Sequence, residues 1–321
     1  MDYGFGVPTR GPLAKPETLA TLAGRGEEFG FKYINVSDHI VIPRDINSRY
    51  PYSESGEFTG WDSGECIEQL TLVTFLASRT SRARLLTSVM VLPHRSPVFT
   101  AKALASIDVL SGGRLTVGCG VGWLREEFEA LGAPPFDHRG AVGSEYIQAF
   151  KELWTSDNPT FRGKYSSFSN IMFSPKPAQK PHPPIWVGGE SPPAMRRAAM
   201  LGDAWYPIGN NPSFPLQTVD QLADAIQRLY HYAEEYGRDP KGLDVAFSAG
   251  WYNEKEAQPL PDGQRLTFTG TPEQIAGDIR AFEALGVHHL MLGFQAPTLE
   301  ETLERMEYFT REIMPLTDGS A

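Results

Sequence analysis

The chain has 321 residues, 41% of them hydrophobic, which is enough to bury a large core as one β/α barrel or as two smaller domains. Its formal charge of −10 argues against a nucleic acid or an anionic membrane as partner, because both call for a basic face. Two cysteines, Cys66 and Cys119, cannot form a disulfide framework, and no apolar run suits a membrane span or a secretory signal, so a reducing cytoplasm is expected.

Tyr3 to Val7 reads as a strand, and Lys15 to Gly30 as an amphipathic helix with Leu19, Leu22, Ala23 and Phe29 on one side. Tyr33 to Ser37 is the second strand. Asp38 and His39 follow at once, and the long segment to Gly64 carries Tyr50, Tyr52, Phe58 and Trp61 among Pro, Gly and Ser. Loops this long in compact domains are functional or disordered, and the aromatics favour a lid. After a helix over Cys66 to Arg79, residues 84–132 read strand, helix, strand, helix, with Ser111-Gly112-Gly113 closing the first helix and alternating glycines ending the second strand. That order demands a parallel sheet with right-handed crossovers, and glycine is where backbone can approach a ligand closely.

A helix over Gly143 to Trp154 and an irregular excursion to Pro184 come next. The strand Ile185 to Val187 ends in Gly188-Gly189, and a helix runs from beyond Ser191 to Leu201. Strands at Ala204 to Tyr206, Leu243 to Ala249 and Val287 to Gly293 alternate with helices at Val219 to Tyr236, from Thr271-Pro272-Glu273, and at Leu299 to Ile313. Eight strands and eight helices alternate without a low-complexity linker. The prediction is an α/β fold, a single (β/α)8 TIM barrel domain over residues 1–321 with excursions after strands two, four and seven; a doubly wound sheet with a cap is the fallback.

Ser37-Asp38-His39, the run 88–97, Leu110-Ser111-Gly112-Gly113-Arg114, 118–123 with Glu126-Glu127, Arg139, and 184–189 followed by Ala204-Trp205 together resemble the bacterial luciferase-like superfamily. Within it the chain is most similar to the deazaflavin (coenzyme F420) dependent oxidoreductases. The resemblance implies a homodimeric barrel with a reduced flavin or deazaflavin across the C-terminal strand ends, transferring hydride between F420 and a small organic substrate. The alternative on the same barrel is an FMNH2-dependent monooxygenase supplied by a separate flavin reductase. A deazaflavin lacks the ring nitrogen that makes reduced flavin react readily with oxygen, so the cofactor decides the chemistry. Val121 stands where the sugar-phosphate dehydrogenase branch has a glutamate, and Ile42-Pro43-Arg44 where it has a tryptophan, so that activity is not inferred.

Each candidate residue has a functional and a structural reading. His39, at a strand's upper end, suits a proton shuttle, or is a loop-bonded structural histidine; the resemblance favours catalysis, with Asp38 as a local cap or orienter in the cofactor-binding set. The resemblance alone places a non-proline cis peptide at Ser88-Val89, against the cofactor ring. Gly118, Gly120 and Gly122 form GxGxG rather than a dinucleotide fingerprint, and let backbone pass under a cofactor or make a tight turn. Gly188, Gly189 and Ser191 form a phosphate cradle at a helix start or a plain turn, and Arg139 is a second phosphate anchor or a partner of Glu145. Trp61, Trp205 and Trp251 wall a substrate pocket or fill core, and Trp154 and Trp186 are core. The loops 40–64 and 251–269 are expected to set the substrate, a small hydrophobic or aromatic molecule. A metal-dependent hydrolase using His39 with Asp38 would need a His-x-His pair and further ligands that the sequence lacks, so no metal is predicted.

Overall fold

The computed structural model describes residues 1–59 and 63–317. Eight parallel strands form a closed barrel: β1 (Asp2–Gly6), β2 (Tyr33–Val36), β3 (Arg84–Thr87, resumed at Met90–Val91), β4 (Leu115–Gly120), β5 (Ile185–Gly188), β6 (Ala204–Tyr206), β7 (Asp244–Ala249) and β8 (Val287–Leu292). Their order around the barrel is 3-2-1-8-7-6-5-4, and the pairing of Leu85 with Leu115 and Leu86 with Thr116 closes the ring. The crossover helices are α1 (Pro16–Glu28), α2 (Gln69–Ala77), α3 (Pro97–Leu110), α4 (Arg125–Leu131), α5 (Arg139–Thr155), α6 (Pro192–Leu201), α7 (Val219–Glu235), α8 (Pro272–Ala284) and α9 (Leu299–Tyr308).

Both faces of these strands are buried, which is why they read as apolar runs rather than as alternating ones. Successive residues nevertheless separate into two cores. Tyr33, Leu86, Trp186, Ala204, Tyr206, Ala246 and Met291 fill the barrel interior. Their neighbours Ile34, Leu85, Val187, Trp205, Val245 and Leu290 pack outward in the larger core. At the lower end, His289 lies 4.8 Å from the Trp186 ring and 5.2 Å from that of Tyr33, and its Nε2 bonds Asp244 at 3.1 Å. These side chains plug the N-terminal mouth.

The excursions after β2, β4 and β7 are present. Helix α5 starts at Arg139, four residues before the expected Gly143, because tertiary packing overrides the poor helix propensity of Gly140 and Gly143. A capping box joins Thr271 and Gln274 at the start of α8, as the Thr-Pro-Glu signal implies. No helix of the described residues is long and apolar enough to cross a membrane.

Candidate active site

The C-terminal strand ends open on a cleft of about 990 Å³, covered on one side by the excursion after β2. Asp38 and His39 both line it but face different partners. Consecutive residues of extended chain point to opposite sides, so the carboxylate nearest in sequence is not the one that meets the imidazole. Asp38 takes two bonds from the Arg95 guanidinium, each 2.8 Å, and a third from the Val91 N–H. It pins β3 to β2. His39 instead donates Nδ1–H to Glu127 Oε2 at 2.8 Å.

Glu127 stands in the first turn of α4 with its side chain 1% exposed, and its Oε1 accepts the N–H groups of Ile40 and Val41. Burial opposes its ionisation, but the His39 bond, the two nearby imidazoles and the Ile40 N–H outweigh that and hold its pKa below the ordinary glutamate range. An ionised Glu127 fixes Nδ1 as the protonated nitrogen and directs Nε2 away from itself. The second imidazole is that of His94, whose Nδ1 lies 3.9 Å from Glu127 Oε1, and neither of its ring nitrogens has a hydrogen-bond partner. Burial pushes the His94 pKa down against the pull of Glu127 and Asp38.

The floor of the cleft is made where β3, β4 and β5 approach. The Ser88-Val89 peptide is cis, and Ser88 Oγ lies 2.9 Å from the Tyr206 hydroxyl. A Cβ on Gly120 would stand 2.5 Å from Val89 Cγ2, and one on Gly188 3.0 Å from Val89 Cγ1. These glycines admit the Val89 side chain. Gly118 lies deeper and does not line the cleft; a Cβ there would come within 2.0 Å of the Thr87 carbonyl, so its role is strand packing. Gly122 turns the chain out of β4 at φ +79°.

Beside this floor, Gly189 takes φ +106° and leads into α6. Pro192 and Pro193 open that helix, so two of the backbone donors expected at a helix start are missing. Ser191 is the N-cap, yet its hydroxyl makes no capping bond. The compensating donor is Arg139, which lines the cleft, stacks 4.0 Å over the Phe136 ring and gives its bonds to the carbonyls of Gly122 and Phe136. Glu145 does not pair with it; that carboxylate accepts the N–H groups of Lys164, Tyr165 and Ser166 instead. A guanidinium without an ion pair among the described residues and an uncapped serine at a helix start suit a phosphate, and a floor cleared of Cβ atoms suits a flat ring above it.

Two tryptophans expected at the pocket wall lie elsewhere. Alternation along β6 turns Ala204 and Tyr206 inward and Trp205 outward, where it is fully buried and donates Nε1–H to the Gly189 carbonyl. Trp251 packs on Phe247, and its Nε1–H goes to Thr267. Trp61 lies outside the described residues. The loop 251–269 does not reach the cleft; the segment after β6, with Ile208, Asn211 and Phe214, lines that side. The aromatic wall is Tyr50, Phe58 and Trp123, with ring centroids 4.8 to 5.0 Å apart and Phe58 5.3 Å from His39. Among the described residues no group of three or more His, Cys, Asp or Glu side chains is placed to hold a metal ion.

The barrel rim thus pairs a fixed imidazole with a cleft floored by glycines. Residues 3–260 match the family model described as luciferase-like monooxygenase, and the chain belongs to that family of oxidoreductases and monooxygenases. It is 29% identical over 308 residues to the FMNH(2)-dependent dimethylsulfone monooxygenase of Pseudomonas putida, covering 83% of each chain. It is 30% identical over 319 residues to the pyrimidine monooxygenase RutA of Bradyrhizobium sp. (strain BTAi1 / ATCC BAA-1182), covering 93% of this chain and 82% of that one. In fold it matches the coenzyme F420 dependent tetrahydromethanopterin reductase of Methanopyrus kandleri with a TM-score of 0.73 at 17% identity, over 98% of both chains.

Proposed function

We propose that this chain is a single-domain FMNH2-dependent monooxygenase that works with a separate flavin reductase and oxidises a small apolar or aromatic substrate. The observation that carries the reading is the His39–Glu127 pair at the edge of a glycine-floored cleft that Arg139, which makes no ion pair among the described residues, also lines. The relatives at 29 and 30% identity, one named for FMNH2 and both named as monooxygenases, support reduced FMN ahead of F420. When bound, reduced FMN supplies the electrons with which dioxygen delivers one oxygen atom to an organic substrate.

The protein's own groups do the rest. Arg139 and Ser191 hold the phosphate, and Gly120, Gly188 and Val89 shape the seat of the ring. His39 moves a proton at Nε2 while Glu127 keeps the other nitrogen protonated and stabilises the imidazolium. Tyr50, Phe58 and Trp123 exclude water from the reacting face. Phe99, Val109 and Leu110 of α3, 67%, 43% and 72% exposed, support a homodimer through that helix. Light scattering at micromolar concentration tests this, and a monomer would remove it.

Hydride transfer with F420 is the second reading, supported by the sequence signature of Ser37-Asp38-His39 and Leu110 to Arg114. The deciding experiment is an anaerobic titration with FMN and with F420, each oxidised and reduced, followed by fluorescence and calorimetry. Selective binding of FMNH2, with oxygen uptake on admission of air, supports the first reading. Selective binding of F420 replaces it with the second, and binding of neither overturns both.

A further inference from the structure

The anion site next to the cleft has a second cation behind it. Arg197 lies on α6 one turn beyond Ala194, which lines the cleft, and helix side chains lean toward the N-terminus, so its guanidinium reaches back toward the start of the helix. Its Nε bonds Ser144 Oγ at 3.1 Å and its Nη2 the Gly140 carbonyl at 3.0 Å. Gly140 adjoins Arg139, so the two guanidiniums flank the first turn of α5. Burial lowers both pKa values from the ordinary arginine value, helped for Arg197 by the charge of Arg139 and for Arg139 by that of Arg125, with Asp137 opposing it at Arg139.

Several other buried or half-buried arginines are matched in one of two ways. Arg95 pairs with Asp38 and Glu68, Arg265 with Asp278, and Arg305 with Glu254. Arg114 has no carboxylate, but five bonds to carbonyl and hydroxyl oxygens occupy its donors. Arg139 and Arg197 have neither solution, a state they share with Arg238, which bonds only the carbonyls of Ala199 and Gly202 at the C-terminal end of α6 and does not line the cleft. Each makes two bonds to neutral oxygens and has no ion pair among the described residues. Guanidinium carries five donors, and a buried charge left with donors to spare is destabilising unless a counter-charge arrives. Glu190, next to Gly189 in the cradle, is turned to the Ile208 N–H and Asn211 Nδ2 instead, and Asp137, whose charge acts on Arg139, pairs with Arg125.

We infer that Arg197, acting with Arg139, makes this cradle selective for a phosphomonoester dianion over a phosphodiester monoanion. The inference rests on the proposed placement of the cofactor phosphate at Ser191 and Arg139. One guanidinium matches the first negative charge and the second matches the other, which a phosphodiester lacks. Arg197 does not line the cleft, so it acts as a positioning charge rather than through the reacting atoms. FMN presents the monoester and F420 the diester, so the same pair of residues discriminates between the two cofactors.

The test is calorimetric titration of the oxidised full-length protein with riboflavin, FMN and the methyl ester of FMN, in which the phosphate is a diester of unchanged ring and ribityl chain. Wild-type protein is expected to bind FMN about tenfold more tightly than the methyl ester, the scale of one added charge pair at a protein-like effective dielectric. Arg197→Gln should close that gap to under about twofold and leave riboflavin affinity unchanged, while Arg197→Lys, which keeps the charge, should preserve the gap. A gap that survives in Arg197→Gln, or an equal loss for all three ligands, overturns the inference and leaves the cradle in place. If wild-type protein binds riboflavin as tightly as FMN, the cradle itself falls and the inference with it.

Discussion

Each end of the barrel holds a histidine against a carboxylate. At the upper rim His39 gives Nδ1–H to Glu127, whose side chain is 1% exposed, and the rest of the ring borders a 990 Å³ cleft. At the lower end His289 shares Asp244 with His288, sits 3.5 Å from Asp2, and is packed by Trp186 and Tyr33. A carboxylate partner therefore does not by itself mark a working imidazole. The rim histidine has Nδ1 fixed by Glu127 and borders the cleft, whereas the lower one bonds Asp244 through Nε2, has Asp2 3.5 Å from an unbonded Nδ1 and is enclosed by aromatic rings.

The sharpest way to break this contrast is a pair of alanine substitutions. His39→Ala is expected to lower turnover by about 100-fold or more, the scale of a lost general acid or base, with flavin affinity nearly unchanged. His289→Ala should lower the melting temperature and leave turnover of the folded protein close to wild type. Equal turnover losses in the two variants would erase the distinction.

Glu127→Gln sharpens the rim half. It keeps the side-chain shape but removes the charge that stabilises a protonated His39, so turnover should fall about tenfold or more, with stability reduced by about 1–3 kcal/mol as buried bonds weaken. Because Glu127 is held below its ordinary value of 4.5, its stabilisation is present above that pH and is lost as pH falls through the lower folded value. Acid unfolding curves should therefore be shallower in Glu127→Gln than in the wild type below pH 4.5.

Within β4 the same division runs along one strand. Gly118→Ala forces a Cβ onto the Thr87 carbonyl and should cost about 2 kcal/mol or more of stability, whereas Gly120→Ala displaces Val89 and should weaken flavin binding first. The reverse pattern would mean that the floor of the cleft is misplaced.

The smallest expected effect concerns the unbonded His94. Its folded pKa lies below the ordinary 6.5, so the unfolded chain binds more protons and stability falls as pH drops through that value. His94→Gln should flatten this part of the stability profile between pH 6.5 and the onset of carboxylate protonation. An unchanged slope in the variant would show that His94 is not its source.

The barrel was legible in the sequence because strand, helix and glycine punctuation recur locally: Ala204–Tyr206 falls where the pattern puts it, and Thr271 caps the helix that the Thr-Pro-Glu signal opens. The rim histidine and the glycine approach were legible for the same reason. The partner of His39 was not, because Glu127 is 88 residues away and Asp38 adjoins the imidazole in sequence but points the other way. Its only signal was the Glu126-Glu127 pair within the family signature. Trp205 misled because its place at a strand end says nothing of its face; the alternation of Ala204 and Tyr206 into the interior decides that. Arg139 and Arg197 were equally hidden, since they stand on different helices and only the packing of α6 on α5 brings them together.

Glu126 and Glu127, neighbours on α4, grip the excursion after β2 at separate points: Glu127 holds the backbone of Ile40 and Val41, and Glu126 the backbone of Asn47 and Ser48 with the Ser48 hydroxyl. The chain beyond Ser48, which brings Tyr50 and Phe58 to the cleft, therefore hangs from a fixed clasp rather than from the histidine. The clasp and the His39–Glu127 bond both belong to α4, so one helix orients the imidazole and anchors the segment that walls the cleft.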